Sequence, residues 1–441
     1  MLSLEEIIKA TSGTPLGLED LTLKPTGVST DSRTMAQGEL FVALKGPYYD
    51  GGDFVEDAFA KGAISCIVSN PVGLPRTISV KDTLIALGEI AKAYRSTLDI
   101  PVIVITGTNG KTTVKNILKA LLDVRYKTFA NKGNRNNLIG LPLSILEIDE
   151  EVEIAILEAG ISARGELTRL CDISKPTHGL ITNVGPGHLE ELGTLEDVLE
   201  AKWELGEAVT RNKGVLFLNS DYPELLKRAQ QAGMETRTFA VQNNTEFTPV
   251  EVKYGMEGTS FKFMGEAFRL PLLGAANLAN AVAALSVAVG GFEITLEEAA
   301  TVLSEVKPEK WRLERRDIGD MHLLMDCYNA NPVSMKEAFG LLTLFPAPRI
   351  AVLGAMLELG KESSKYHEEI IEMARDTADL VIITGPHSEL YPPHEGVMVI
   401  PDKIEAAEEL RKRLLPGASV LVKGSRACAL EDIVSLIWGT A

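Results

Sequence analysis

Continuous β-branched and apolar runs alternate along this chain with stretches of helical period, in strand–helix order over most of its length. The clearest run is Val102-Ile103-Val104-Ile105-Thr106, unbroken enough to read as a strand buried on both faces. Glycine-bearing residues 107–110 follow, then a helical pattern through Leu122. Upstream, the pattern predicts an acidic amphipathic helix at the N-terminus, strands over 39–44 and 63–69, a short helix over 54–62 and an amphipathic helix over 82–98. Downstream it predicts strands over 152–157 and 178–184 and a helix over 195–209. Residues 270–292 carry Pro271, glycines and polar interruptions, so they read as a loop plus a buried helix and not a membrane span. Beyond that, strands over 323–326, 349–353, 379–384 and 419–423 are separated by helices at about 333–345, 362–376 and 403–415. This is an α/β pattern. It divides into residues 1–98, a small α/β unit; 99–312, a central unit with a mainly parallel sheet; and 313–441, a doubly wound, Rossmann-like unit.

Length agrees with that division, since 441 residues hold about three domains of ~150 residues. The net charge of −17 argues against nucleic acid as a partner, because a phosphate backbone demands a basic face. It does not exclude a small phosphate ligand, which feels a local cradle more than distant, screened charge. Cys66, Cys171, Cys327 and Cys428 are scattered with no Cys-x-x-Cys pair, which suggests neither a zinc site nor a disulfide framework and suits a reducing compartment. The acidic N-terminal helix is unlike a signal peptide. A cytoplasmic protein without a membrane span is the expectation.

The candidate chemistry sits at strand ends. Gly107-Thr108-Asn109-Gly110-Lys111-Thr112-Thr113 lies between a strand and a helix, where backbone amides and the positive helix end face an anion. Lys111 supplies a point charge, and the Thr112 hydroxyl can reach Mg²⁺. The loop is shorter than the usual phosphate-binding pattern, because Ile105 stands where the first glycine is expected. Glu158 follows the strand predicted over 152–157, beyond whose carboxyl end ligands bind in open parallel sheets, and it suits Mg²⁺. His188 also follows a strand end, although a lone histidine is more often structural. Asn131, Asn134, Arg135, Asn136 and Asn137 concentrate polar donors in one loop. Asn277 and Asn280, three apart, share a helical face. On residue type alone, Lys202 is a solvated helix lysine, and residues 29–33 and 45–53 are polar connections.

The short glycine loop is similar to that of the Mur ligases and folylpolyglutamate synthases. Further motifs occur in the Mur-ligase order: residues 133–142, Asn183-Val184-Gly185-Pro186-Gly187-His188, Asp326-Cys327-Tyr328-Asn329-Ala330-Asn331-Pro332, residues 354–360 and residues 421–426. The resemblance runs from about residue 27 to 431 and is to the branch that adds a dipeptide. It implies three domains and an ATP-dependent amide ligase of peptidoglycan precursor synthesis, with UDP-N-acetylmuramoyl-tripeptide and D-alanyl-D-alanine as substrates, acting as a monomer. It implies that Ser29, Asp31, Arg33, Lys45 and Asp53 lie near the UDP-sugar, and that Asn134, Asn136 and Asn137 meet the muramoyl peptide. ATP would lie on Gly107, Thr108, Asn109, Gly110, Lys111, Thr112 and Thr113, with Asn277 and Asn280 beside adenine and Arg312 and Asp326 near phosphates and ribose. Thr112, Glu158, His188 and Lys202 would hold one or two Mg²⁺ ions, Lys202 as a carbamate formed with CO₂. Tyr328, Asn329 and Asn331 would help seat the dipeptide or ATP. Three positions depart from the pattern: Ala276 and Gly52 replace frequent histidines, and Ala355 replaces a usual acid. The alternatives are a sister ligase adding one amino acid or a folate polyglutamate ligase, and a nucleotide-binding regulatory module without catalysis. A dehydrogenase is weaker, since no Gly-x-Gly-x-x-Gly follows the first strand of the last unit.

Overall fold

The structure, a computed structural model, describes residues 1–70, 73–234 and 236–439. Four sheets organise them. The first unit holds five strands in the spatial order Thr14–Leu16, Thr77–Ser79, Ser65–Val68, Leu40–Val42, Val28–Ser29. The first pair is antiparallel and the rest are parallel. The central sheet runs Thr236–Phe239, Val215–Asn219, His178–Ile181, Val102–Thr106, Ile154–Glu158, Thr128–Ala130, every pair parallel. The C-terminal sheet runs Glu314–Ile318, Met321–Asp326, Ser419–Lys423, Arg349–Leu353, Leu380–Thr384, Val397–Ile400, with only the first pair antiparallel.

The central strand explains its own burial. Successive side chains of a strand point to opposite faces. Ile103 and Ile105 join one core with Val114 and Leu118 of the helix Lys111–Leu122 and with Leu278, Val282 and Leu285 of the helix Gly274–Phe292. Val102 and Val104 join the other with Val198, Leu205 and Val209 of the helix Leu195–Arg211. That second core continues into the first unit through Leu87, Ile90 and Tyr94. Arg95 pins the same junction: its Nε donates to the Ser174 carbonyl at 2.9 Å.

The helix Gly274–Phe292 is apolar and long enough to cross a membrane by composition alone, with mean hydropathy 1.5. Here it is a core helix, packed against the central sheet as the sequence suggests. Residues 210–270 carry elements that the apolar pattern left unassigned. These are the strands Val215–Asn219 and Thr236–Phe239, the helix Pro223–Gln231, and an antiparallel meander of Pro249–Gly255, Gly258–Phe263 and Glu266–Leu270.

In both larger sheets the parallel strands end on the same side as the candidate residues. Ile105 pairs with Glu158 in register, and Asp326 pairs with Lys423. Chain order reverses on either side of Val102–Thr106 in the central sheet. A crevice opens at such a switch point.

Candidate functional site

The carboxyl ends of the central strands, the helix Gly274–Phe292 and the start of the C-terminal unit enclose one cleft of 530 Å³. Its floor is the glycine loop. Gly107 (φ 152°) and Gly110 (φ 82°) both adopt backbone conformations that side chains resist. A Cβ on Gly107 would overlap the Thr182 hydroxyl, and one on Gly110 would overlap the Asn280 side-chain carbonyl. The loop is braced from the next strand: Asn109 N–H donates to Asn183 Oδ1 at 2.8 Å, and Asn183 Nδ2 returns a bond to the Asn109 carbonyl at 3.0 Å. Thr108 Oγ1 donates to the Gly185 carbonyl at 3.1 Å.

Lys111 opens the helix Lys111–Leu122, and its Nζ folds back onto the carbonyls of Gly107 (2.8 Å) and Thr108 (3.4 Å). Burial holds this ammonium below the ordinary lysine value; Glu158 opposes that shift and Arg312 adds to it. Thr112 lines the cleft beside Lys111. Its Oγ1 accepts a hydrogen bond from Arg312 Nη2 at 3.2 Å. Arg312 lies over the Tyr328 ring at 3.9 Å and pairs with Glu309 at 3.2 Å. Thr113 is buried at the helix start. Asn277 and Asn280 are buried on one face, with Asn277 Nδ2 donating to the Leu273 carbonyl at 2.9 Å.

Glu158 ends the strand Ile154–Glu158 and is buried. Its Oε1 accepts from Asn136 Nδ2 at 2.7 Å, while Oε2 has no hydrogen-bond partner among the described residues. The Lys115 ammonium lies 3.7 Å from Oε2 and donates to the Asn131 carbonyl at 2.6 Å. Asn131 itself brackets the Glu158 backbone, accepting from its N–H at 2.8 Å and donating to its carbonyl at 3.1 Å. The polar loop is therefore partly structural: Asn131 and Asn136 hold Glu158, and Asn137 Oδ1 accepts from Gly140 N–H at 2.9 Å at the next helix start. Asn134, Asn136 and Asn137 nevertheless line the cleft.

His188 lines the cleft in a left-handed conformation (φ 56°), and its Nδ1 meets Glu358 Oε2 of the C-terminal unit at 2.7 Å. That bond from His188 holds the Glu358 carboxyl below the usual range, against its partial burial. Lys202 is not a cleft-lining residue and not a solvated lysine. It is buried in the helix Leu195–Arg211, and burial, with the nearby Lys111 charge, holds it well below the ordinary lysine value.

The C-terminal unit brings Asp326, Tyr328, Asn329 and Asn331 to the same cleft. Asp326 and Lys423, register partners on adjacent strands, form a buried ion pair, and Asp326 Oδ1 also accepts from Leu313 N–H at 3.2 Å. Asn331 caps the helix Pro332–Leu342, and its Nδ2 donates to Asn109 Oδ1 at 2.6 Å, joining the glycine loop to the last unit. A second cavity of 400 Å³ shares Thr108, His188, Asn329 and Asn331 and is closed by Glu358, Ser425 and Arg426.

Ser29, Asp31, Arg33, Lys45 and Asp53 lie elsewhere. They follow or end the parallel strands Val28–Ser29 and Leu40–Val42, at the carboxyl edge of the first sheet. Arg33 and Asp31 pair at 2.8 Å, and Lys45 meets Asp50 at 3.6 Å. None of the five lines the cleft. Sequence reasoning overlooked Lys115, Glu309 and Glu337, and gave Glu358 and Lys423, both inside the motifs quoted above, no role. Only Lys115 carried a local signal. With Leu118 and Leu122 it has the spacing of the buried stripe, where an unpaired lysine is not expected.

Cradle, switch-point crevice and acidic strand ends together define a nucleotide-phosphate-binding α/β protein. The sequence pattern of the Mur ligase middle domain matches residues 105–288, that of the "Mur ligase, glutamate ligase domain" residues 311–426, and that of the "Mur ligase family, catalytic domain" residues 24–95. The chain belongs to the Mur ligase family. It is 37% identical over 430 residues to the UDP-N-acetylmuramoyl-tripeptide–D-alanyl-D-alanine ligase of Bacillus subtilis (strain 168), covering 92% of each chain. It is 35% identical to the Escherichia coli (strain K12) protein of the same name, covering 94% of each. Among solved structures it superposes on MurF from Acinetobacter baumannii with TM-score 0.89 at 26% identity, covering 99% of this chain and 98% of that one. Against MurF ligase from Thermotoga maritima in complex with ADP the TM-score is 0.86 at 29% identity, covering 95% and 98%. The three-domain α/β expectation holds.

Proposed function

We propose that this chain is an ATP-dependent amide ligase. It joins D-alanyl-D-alanine to the terminal carboxylate of UDP-N-acetylmuramoyl-tripeptide and releases UDP-N-acetylmuramoyl-pentapeptide, ADP and phosphate, in cytoplasmic peptidoglycan precursor synthesis and as a monomer. The observation that carries this reading is convergence in one cleft: the Lys111 cradle, the Glu158 carboxylate with one oxygen that has no hydrogen-bond partner among the described residues, and the Asn329–Asn331 loop of another unit. The two relatives named above carry the same activity in their names.

A carboxylate does not condense with an amine at neutral pH, because oxide is a poor leaving group. A tripeptide carboxylate oxygen attacks the γ-phosphorus, the bond to the β-phosphate oxygen breaks, and an acyl phosphate forms. The amine nitrogen then attacks the acyl carbon and phosphate departs. The barrier to the first step is largely charge crowding, which positioned cations and donors relieve. Lys111 leaves the Gly107 and Thr108 carbonyls for the phosphates, and Gly107 to Thr113 supply the cradle. Asn277 and Asn280 border adenine, and Arg312 and Asp326 lie toward phosphate and ribose. Asn134, Asn136 and Asn137 face the muramoyl peptide, and Ser29, Asp31, Arg33, Lys45 and Asp53 take the UDP end on the first unit. Tyr328, Asn329 and Asn331 seat the dipeptide. Residues 1–98, 99–312 and 313–441 are the corresponding domains. Closure of three units around the cleft keeps water from the acyl phosphate.

The donor set fits Mg²⁺. Glu158 Oε2 is buried without a hydrogen-bond partner, and Mg²⁺ binds through one or two carboxylates plus phosphate oxygens. Glu158, Thr112, His188 and Lys202 would hold one or two ions, which neutralise charge on the phosphates. Lys202 fits a carbamate, because an amine held well below the usual lysine value offers the lone pair that CO₂ requires.

The test is phosphate release from ATP with the UDP-tripeptide and D-alanyl-D-alanine, each omitted in turn. Release that requires both supports the reading. Release supported by a single amino acid in place of the dipeptide would assign a sister ligase instead.

A further inference from the structure

One carboxylate in the cleft wall has no part in the assignments above. Glu337 sits on the helix Pro332–Leu342, three residues after Ser334, so the two share a helix face, and both line the cleft. The helix is fixed at its start. Asn331 Oδ1 accepts from Ser334 N–H at 2.9 Å while its Nδ2 holds Asn109 of the glycine loop. Glu337 therefore follows directly on the loop proposed to seat the dipeptide.

The charged and titratable groups facing Glu337 are Lys423 and Asp326 at the strand ends and Tyr222 of the central unit. Lys423 is committed to Asp326 and also donates to the Asn329 carbonyl at 3.2 Å. Among the described residues the Glu337 carboxylate makes no hydrogen bond or ion pair; only the Lys423 and Asp326 charges act on it from a distance. Burial pushes its carboxyl up to about 7; Lys423 opposes the shift and Asp326 adds to it. The other acids of the cleft are engaged: Glu158 with Asn136 and Lys115, Glu166 with the Ser162 and Ala163 N–H groups, Asp326 with Lys423. The His188 Nδ1 is held by Glu358.

We propose that Glu337 accepts the proton of the incoming dipeptide's ammonium group. The inference rests on the amide-ligase reading. A free α-ammonium, with a pKa of about 7.7–8.0, has no lone pair to offer while protonated. An N–H bond breaks toward a Glu337 oxygen, giving a carboxylic acid and a neutral amine. The freed lone pair forms the C–N bond at the acyl carbon, and the C–O bond to phosphate breaks with its electrons leaving on phosphate. Phosphate carries off the second N–H proton, and Glu337 returns its own to water. No oxidation or reduction occurs. A base whose pKa lies near the working pH is the efficient one for this transfer.

The test is Glu337→Gln, which keeps the side-chain shape, with Glu337→Asp beside it. Both are checked for an unchanged melting temperature and assayed with ATP, UDP-tripeptide and D-alanyl-D-alanine across pH. Near neutrality Glu337→Gln should lose roughly 10²-fold in kcat with little change in dipeptide KM, and Glu337→Asp should recover part of it. The deficit should shrink as pH rises past the amine's pKa of about 8, where solvent removes the proton. Hydroxylamine, unprotonated at neutral pH, is the second nucleophile: hydroxamate formation without dipeptide should proceed equally in both proteins. A pH-independent deficit, a loss confined to KM, an equal loss with hydroxylamine, or full activity in Glu337→Gln would each overturn the proposal. Wild-type protein that forms neither pentapeptide nor hydroxamate would instead overturn the ligase reading itself.

Discussion

Lys115→Met tests how the acidic strand end is held. Lys115 and Glu158 have side chains only 2% and 4% exposed, with Nζ and Oε2 separated by 3.7 Å. At an effective dielectric of about 20, charges at that distance attract by roughly 4 kcal/mol. Burial lowers the Lys115 pKa, and Glu158 and Glu309 work against that lowering. Methionine fills the same stripe beside Leu118 and Leu122 but leaves Glu158 buried against no cation, and the Asn131 carbonyl loses its donor. Removing one partner of a buried pair costs about 3–5 kcal/mol. For a unit of some 200 residues that is a fall of roughly 10 °C in Tm. Calorimetry on Lys115→Met, on Glu158→Gln and on the double variant gives the coupling. The double variant should be more stable than Lys115→Met, because the stranded charge is gone. A Lys115→Met variant that melts like wild type, or a double variant no better than Lys115→Met, would refute the reasoning.

Gly110→Ala places a Cβ at φ 82° against the Asn280 side chain; a loss of about 1–2 kcal/mol in stability and a larger loss in ATP affinity than in UDP-substrate affinity are expected by calorimetry. Lys111→Ala should abolish phosphate release while UDP-substrate binding stays largely intact, since the proposed UDP residues lie on the first sheet. His178, half-buried beside Phe292, is lowered from 6.5 to about 4 by loss of solvent around the ring. The unfolded chain takes up its proton first, so its stabilisation is complete above about pH 6.5 and lost as pH falls toward 4, by roughly 3 kcal/mol. His178→Phe should flatten the urea-measured stability profile over that window.

The sequence discloses whatever is local. The strand Val102–Thr106, the turn and the helix after it are contiguous, so their chemistry is readable without a fold. The meander over 249–270 was not readable, because most of Pro249–Gly255 faces solvent and carries no apolar alternation. The loop over 131–137 advertises donors, but which of them are taken depends on a strand that arrives later in the chain. Asn131 and Asn136 meet Glu158 across 27 and 22 residues. Asn109 finds Asn331 across 222. Nothing in the helical pattern of the last unit marks Glu337, whose isolation is created by Lys423 choosing Asp326.

A chain of net charge −17 that binds a triphosphate must confine its positive charge, and the cleft shows how. Lys115 is matched by Glu158, Lys423 by Asp326 and Arg312 by Glu309. Lys202 is disfavoured as a cation by burial and by Lys111. Among the described residues that leaves Lys111 as the cation of the cleft held only by neutral partners, the carbonyls of its own loop. A phosphate oxygen is a stronger, charged acceptor at that position. The ligand thus competes with two backbone carbonyls and breaks no ion pair of the cleft. The distant acidic surface is screened within about 8 Å at physiological salt, so it opposes approach more than binding. Raising ionic strength should therefore speed ATP association while leaving its dissociation nearly unchanged, and stopped-flow measurement of the two rates separates this from a surface-charge mechanism, in which salt would slow association.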